Sequence, residues 1–159
     1  MSLDRGQMPG INVKGLRVAV AASRFNKELV DALLCDAVRT MTDRGIAPED
    51  IEVVRVPGAA EIPFACKTMI ESGKFDAAVG LGVVVAGDTP HHMIIAHSTA
   101  IALQAAAAET DVPTINGIIV ANNREQAQAR TVGAIARGAE FAEAAMEMAF
   151  FKRKMSAAR

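Results

Sequence analysis

Four short apolar runs, each followed by a stretch of helical periodicity, constrain the fold of this chain more than any other feature. Residues 16–21 (Leu-Arg-Val-Ala-Val-Ala) form the first run, just after Gly15. Apolar positions then recur at helical spacing at Leu29, Ala32, Leu33, Ala37, Val38 and Met41, and Gly45 stands where a helix C-cap is expected. Residues 51–56 read as a second strand closed by Pro57-Gly58, and a helix from about residue 60 to 72 ends at Gly73. Residues 76–85, the most apolar stretch, are the third strand. After Gly87-Asp88-Thr89-Pro90 a long Ala-rich helix runs to about Glu109. Residues 113–120 give the fourth strand, and helices over 124–130 and 139–154 flank a Gly-containing break at 132–138.

Strands that are apolar throughout are buried on both faces, and alternation with amphipathic helices supplies the cover. The pattern predicts an α/β fold with a four-stranded parallel sheet between two helical layers, a three-layer αβα sandwich. A chain of 159 residues is long enough for one such domain. The expected division is an extension over 1–14, the domain over 15–155 and a tail over 156–159. Ligands in open parallel sheets bind outside the carboxyl ends of the strands. That rule selects residues 22–27, 57–63, 86–92 and 121–125 before any other consideration.

A formal net charge of −1 argues against a protein that coats nucleic acid or an anionic membrane. The chain shows neither a signal-peptide pattern nor an apolar run of bilayer length, so a cytoplasmic protein is expected. Cys35 and Cys66 fall in helical patterns without metal or disulfide spacing and read as reduced thiols. Three histidines without a carboxylate at ligand spacing predict no metal site. Of six Phe, with no Tyr or Trp, Phe64, Phe75, Phe141, Phe150 and Phe151 read as core or interface. Phe25 alone sits in a loop at the ligand edge, where it can stack on a planar ring or simply pack.

The segment Gly87-Asp88-Thr89-Pro90 joins a buried strand to a helix, with Pro90 suited to the first helical position. Asp or Thr there reads either as an ordinary N-cap or, with the backbone N–H groups, as an anion cradle. His91 and His92 follow in the first turn, and histidine is the side chain that moves protons near neutral pH. In residues 56–63, Gly58 and Ala59 permit close approach of a ligand, while Glu61 can accept from hydroxyls or merely complement the helix start. Arg130 and Arg137 are available to a phosphate or to solvent.

Residues 56–63 (Val-Pro-Gly-Ala-Ala-Glu-Ile-Pro) resemble the Val-Pro-Gly-Ala/Ser-aromatic-Glu-Ile-Pro signature of the 6,7-dimethyl-8-ribityllumazine synthase family. Gly82 to His91 resembles its Gly-x-x-x-x-Gly-x-Thr-x-His segment. Ser23-Arg24-Phe25-Asn26, Glu125-Gln126-Ala127-x-x-Arg130 and the stretch from Arg137 to Met148 are also similar to the family, in the same order along the chain. The resemblance implies a flavodoxin-like fold and a reaction without cofactor. In that reaction 5-amino-6-(D-ribitylamino)uracil condenses with 3,4-dihydroxy-2-butanone 4-phosphate in the penultimate step of riboflavin biosynthesis. It further implies that Phe25 stacks on the ring, with Asn26 and Gly58 beside it. Ala59, Ala60 and Glu61 would hold the ribityl chain, and backbone at Val84 and Val85 would meet the ring edge. Gly87, Asp88, Thr89 and Arg130 would hold the phosphate, and His91 would be the general acid/base. Asn116, Arg130 and Arg137 would come from an adjacent subunit, because the family assembles as pentamers and sometimes as icosahedral shells of sixty subunits. The segment before Gly15, with Ile11-Asn12-Val13, is expected to add an edge strand to a neighbour.

Departures from the pattern fall on the ring side of the implied site. Ala60 and His92 stand where the family usually has aromatics, Asn116 where it has Phe, Arg137 where it has Lys, and Ala86 where a basic residue is common. The loop from Arg130 to Gly138 is one residue short. Two alternatives therefore stay open: a paralogue acting on another sugar phosphate, and a non-catalytic shell that binds lumazine or flavin. The intact segment Gly87 to His91 and Arg130 favour an enzyme.

Overall fold

The computed structural model describes residue 6 and residues 8–158. Residues 1–5 and 7 of the expected extension, and residue 159 of the expected tail, lie outside them. The four apolar runs pair as one parallel sheet, β1 (Val18–Ser23), β2 (Ile51–Val56), β3 (Ala77–Val85) and β4 (Thr114–Ala121), in the order β2-β1-β3-β4. α1 (Lys27–Asp43), α4 (Arg124–Thr131) and α5 (Gly138–Ala157) cover one face, and α2 (Ile62–Glu71) and α3 (His91–Thr110) the other. The alternation predicted from sequence is thus realised as a three-layer αβα sandwich.

Strand pleat divides β1 between two cores. Val18, Val20 and Ala22 join Leu33, Met41 and Met146 on the α1–α5 side, while Ala19 and Ala21 join Ile62, Cys66 and Leu103 on the α2–α3 side. The second face carries small residues at Ala19, Ala21, Ala78 and Gly80. A Cβ at Gly80 would sit 2.4 Å from Ile62 Cγ2. Burial in this dry layer pushes the Cys66 thiol up to about 12.

Element ends differ from the sequence reading for identifiable reasons. Leu16 is fully buried, yet its N–H closes a turn onto Val13 O, so pairing starts only at Val18. α1 ends in a Schellman arrangement, with Ile46 N–H donating to Met41 O (3.1 Å) and Gly45 N–H to Thr42 O (3.0 Å), and Gly45 at φ 108°. Pro90 precedes α3 rather than opening it, because its carbonyl accepts from Met93 N–H and the first helical residue is His91. α5 continues through Ala157, which makes Ser156 and Ala157 of the expected tail helical. Residues 8–14 form no strand in the single chain. Val13 is buried in the chain's own core, with Met8 and Ile11 packed against it.

Asp36 of α1 accepts from Ala139 N–H at 2.8 Å, a carboxylate cap supplied to α5 by a residue 103 positions earlier. α3 carries one acidic residue, Glu109, no Lys or Arg, and apolar positions on every side; Ile94 and Ile101 are 62% and 69% exposed. A helix that is apolar all round is one that packs on all sides. Among the described residues, no helix is long and apolar enough to cross a membrane.

Candidate active site

The carboxyl ends of β1 and β3 are adjacent while their following helices leave on opposite faces, which opens a crevice at this point of the sheet. The loop after β1 is sewn to the loop after β2: Arg24 N–H donates to Val56 O (2.9 Å), and Phe25 N–H to Pro57 O (3.3 Å). Asn26 adopts the left-handed conformation (φ 53°, ψ 44°) and its Nδ2 donates to Val83 O at 2.8 Å. Asparagine tolerates that backbone better than most residues. The side chain therefore pins the β1 loop to the end of β3, and Phe25 stands out from it 72% exposed.

Glu61 Oε2 accepts from Gly58 N–H at 2.8 Å, closing the turn Ala59–Glu61 on itself. The helix-start reading of Glu61 is thus realised for one carboxylate oxygen. Phe25 packs over the same turn, since a Cβ at Gly58 would lie 3.5 Å from its Cδ2 and 3.2 Å from Glu61 Oε2. Along the rim, Lys27 and Arg55 flank Asp31 and hold its carboxyl below the usual carboxylate value, Lys27 contributing most.

Phe25, Asn26, Gly58, Ala59, Ala60, Glu61, Val84, Val85 and His91 together line one cleft of about 330 Å³. Nine residues selected from sequence thus meet in space. Val83 and Ile95 line it too and were not selected. Ile95 lies four residues after His91 on α3, and that spacing puts both on one face of the helix. Val83 announces itself only through its carbonyl, which no sequence pattern marks.

Gly87, Asp88 and Thr89 span the gap between Val85 and His91, beside the cleft. No side chain caps α3, so the ordinary N-cap reading of Asp88 or Thr89 is not realised. Ala86 N–H donates to Ala121 O (2.9 Å), but the N–H groups of Gly87, Asp88, Thr89, His91 and His92 make no hydrogen bond among the described residues. Such a cluster at the start of a long helix favours an anion.

Asn116, Arg130 and Arg137 do not line this cleft. Asn116 Oδ1 accepts from Ile118 N–H on the exposed edge strand β4. Arg130 Nη1 donates to Gln126 O within α4. Arg137 departs from the expectation of a ligand-facing cation: it is only 6% exposed and its Nη1 pairs with Glu140 Oε2 at 2.7 Å. Its backbone N–H donates to Arg130 O, which ties the start of α5 back to α4. Phe75 and Phe141 enter the core as expected, whereas Phe64 and Phe151 are exposed in the single chain.

A family model described as 6,7-dimethyl-8-ribityllumazine synthase matches residues 15–153. A 6,7-dimethyl-8-ribityllumazine synthase of Gemmatimonas aurantiaca is 41% identical over 85% of this chain and 83% of its own length. One from Thermococcus gammatolerans is 40% identical over 89% of this chain and 91% of its own. A third, from Azoarcus sp., is 37% identical over 87% of each. The match spans every element that lines the cleft, from β1 to α3. The chain belongs to the 6,7-dimethyl-8-ribityllumazine synthase family.

Proposed function

We propose that the protein condenses 5-amino-6-(D-ribitylamino)uracil with 3,4-dihydroxy-2-butanone 4-phosphate, giving 6,7-dimethyl-8-ribityllumazine and phosphate in riboflavin biosynthesis. The observation that carries this reading is one cleft joining an exposed aromatic, the turn Ala59–Glu61 and a histidine, with an uncapped N–H loop beside it. Phe25 stacks on the uracil, with the turn of Ala59, Ala60 and Glu61 along the ribityl hydroxyls. Backbone of Val84 and Val85 meets the ring edge, and Gly87, Asp88 and Thr89 receive the phosphate. His91, which makes no hydrogen bond among the described residues, moves protons as the amine adds to the ketone, water and phosphate leave, and the ring closes. Much of the acceleration comes from holding two reactants in contact. Purified protein supplied with both substrates tests this, read as lumazine absorbance and released phosphate. Absence of product together with riboflavin binding would replace it by a binding-shell role.

Gly87 offers a separable check on the phosphate half. A Cβ there meets nothing within 4 Å, and the residue is not in the left-handed region, so Gly87→Ala folds like the parent. With the loop closed around phosphate, the methyl group competes for that space. The KM for the phosphate substrate is expected to rise roughly tenfold, about 1.4 kcal/mol, with the ring-substrate KM unchanged. An unaltered phosphate KM would remove Gly87 from the site.

The protein works as a homo-oligomer, a pentamer or a shell of pentamers, with each site completed by Asn116 and Arg130 of a neighbouring subunit. Support comes from their position outside the cleft and from the uncovered apolar sides of α3. Mixing two inactive variants, His91→Ala and Arg130→Ala, after dissociation and reassembly is expected to restore activity at about a quarter of the sites. Failure of the mixture to recover any activity would place Arg130 and His91 in one chain's site.

A further inference from the structure

The loop that receives phosphate in the reading above is held at its two ends and nowhere obvious between them. Upstream, Ala86 N–H is bound to Ala121 O at 2.9 Å. Downstream, Pro90 O accepts from Met93 N–H at 3.0 Å as α3 begins. Within the intervening stretch one hydrogen bond is made, from His92 Nδ1 to the carbonyl of Thr89, at 3.1 Å. A carbonyl oxygen only accepts, so Nδ1 carries the hydrogen and the tautomer of His92 is set.

The position of that bond matters because of Pro90. The pyrrolidine ring fixes φ of residue 90, here −71°. The soft torsion that remains between the Thr89–Pro90 peptide and the helix is ψ of Pro90, which swings that peptide and, with it, the N–H groups of Gly87, Asp88 and Thr89 relative to those of His91 and His92. Anchoring Thr89 O fixes that torsion. An anion held by N–H groups from both sides of Pro90 is bound well only if the two sets stay in register, since mobile donors lose entropy on binding.

We infer that His92 is a positioning residue for phosphate: by holding the Thr89 carbonyl it presets the loop that grips the phosphorylated substrate. The inference rests on the loop's role proposed above and adds the residue that shapes it. An aromatic side chain in the same place would fill the space without donating.

The test uses the full-length protein and inorganic phosphate as the probe, titrated by calorimetry, with steady-state kinetics beside it. Asn places its amide nitrogen where Nδ1 stands in His, so His92→Asn keeps the donor, and His92→Phe keeps the bulk and removes it. Loss of one such hydrogen bond is expected to weaken phosphate about three- to tenfold in His92→Phe. His92→Asn should bind phosphate close to the parent, and the ring-substrate KM should be unmoved in both. Equal phosphate affinity in His92→Phe and the parent would overturn the inference, as would equal loss in Phe and Asn variants or a parallel rise in both KM values. Turnover of the parent with the two substrates reports separately on the reaction itself, so a working enzyme with an indifferent His92 is distinguishable from a failed functional reading.

Discussion

His91→Ala is expected to lower kcat by about 10²–10⁴-fold, the usual worth of a positioned proton donor and acceptor. The imidazole is exposed, lines the cleft and has no hydrogen-bond partner among the described residues, so its removal leaves no buried group unsatisfied. Folding and the KM for the ring substrate should therefore stay near the parent. The proton transfers are distributed over several steps, from addition of the amine to closure of the ring, and a solvent buffer can replace each only slowly. Initial rates of lumazine formation at saturating substrate give the answer directly. A kcat within twofold of the parent would take His91 out of the chemistry and leave it as one wall of the cleft.

Gly138→Ala is expected to have the largest effect on stability. A Cβ at this position would lie 2.6 Å from Leu33 O, 2.7 Å from Asp36 Cβ and 2.8 Å from Asp36 Oδ2. The nearest atom is a backbone carbonyl inside α1 and cannot swing away, so α5 must move off α1 and loosen the bond from Ala139 N–H to Asp36. Overpacking costs about 1–3 kcal/mol and the lost cap about 1 kcal/mol. The better helix propensity of alanine returns at most about 1 kcal/mol. Steric cost wins, with a net loss of roughly 1–3 kcal/mol and a fall in Tm of roughly 2–12 °C. Thermal unfolding followed by circular dichroism measures it. An unchanged Tm would mean that the α1–α5 contact relaxes without loss.

How much was legible beforehand depended on whether a feature is written in hydrophobicity or in direction. The alternation of apolar runs gave the sheet and its layers, because burial on both faces requires helical cover. It misplaced the start of β1 because Leu16 is as buried as a strand residue while belonging to a turn. Most of the cleft was legible since its residues lie at the carboxyl ends of β1, β2 and β3, where parallel sheets bind ligands. Arg137 was not, because a guanidinium reads the same in sequence whether it faces a ligand or pairs with Glu140 inside its own chain. His92 was legible as a second histidine of the first helical turn and as a missing aromatic, but not as a partner of Thr89 O, since that bond depends on a ring orientation that sequence does not encode.

The Asp36 cap has a consequence for how the chain is made. Its partner, Ala139, lies 103 residues downstream, and at about 5–20 residues per second the ribosome needs on the order of 5–20 s to reach it. Throughout that interval the apolar side of α1, with Leu33, Ala37 and Met41, has no α5 to cover it. The nascent chain thus emerges with an apolar helix face that waits for α5 to cover it. Slow translation lengthens that exposure, and the soluble yield of this protein should depend on chaperone supply more than its final stability alone would suggest.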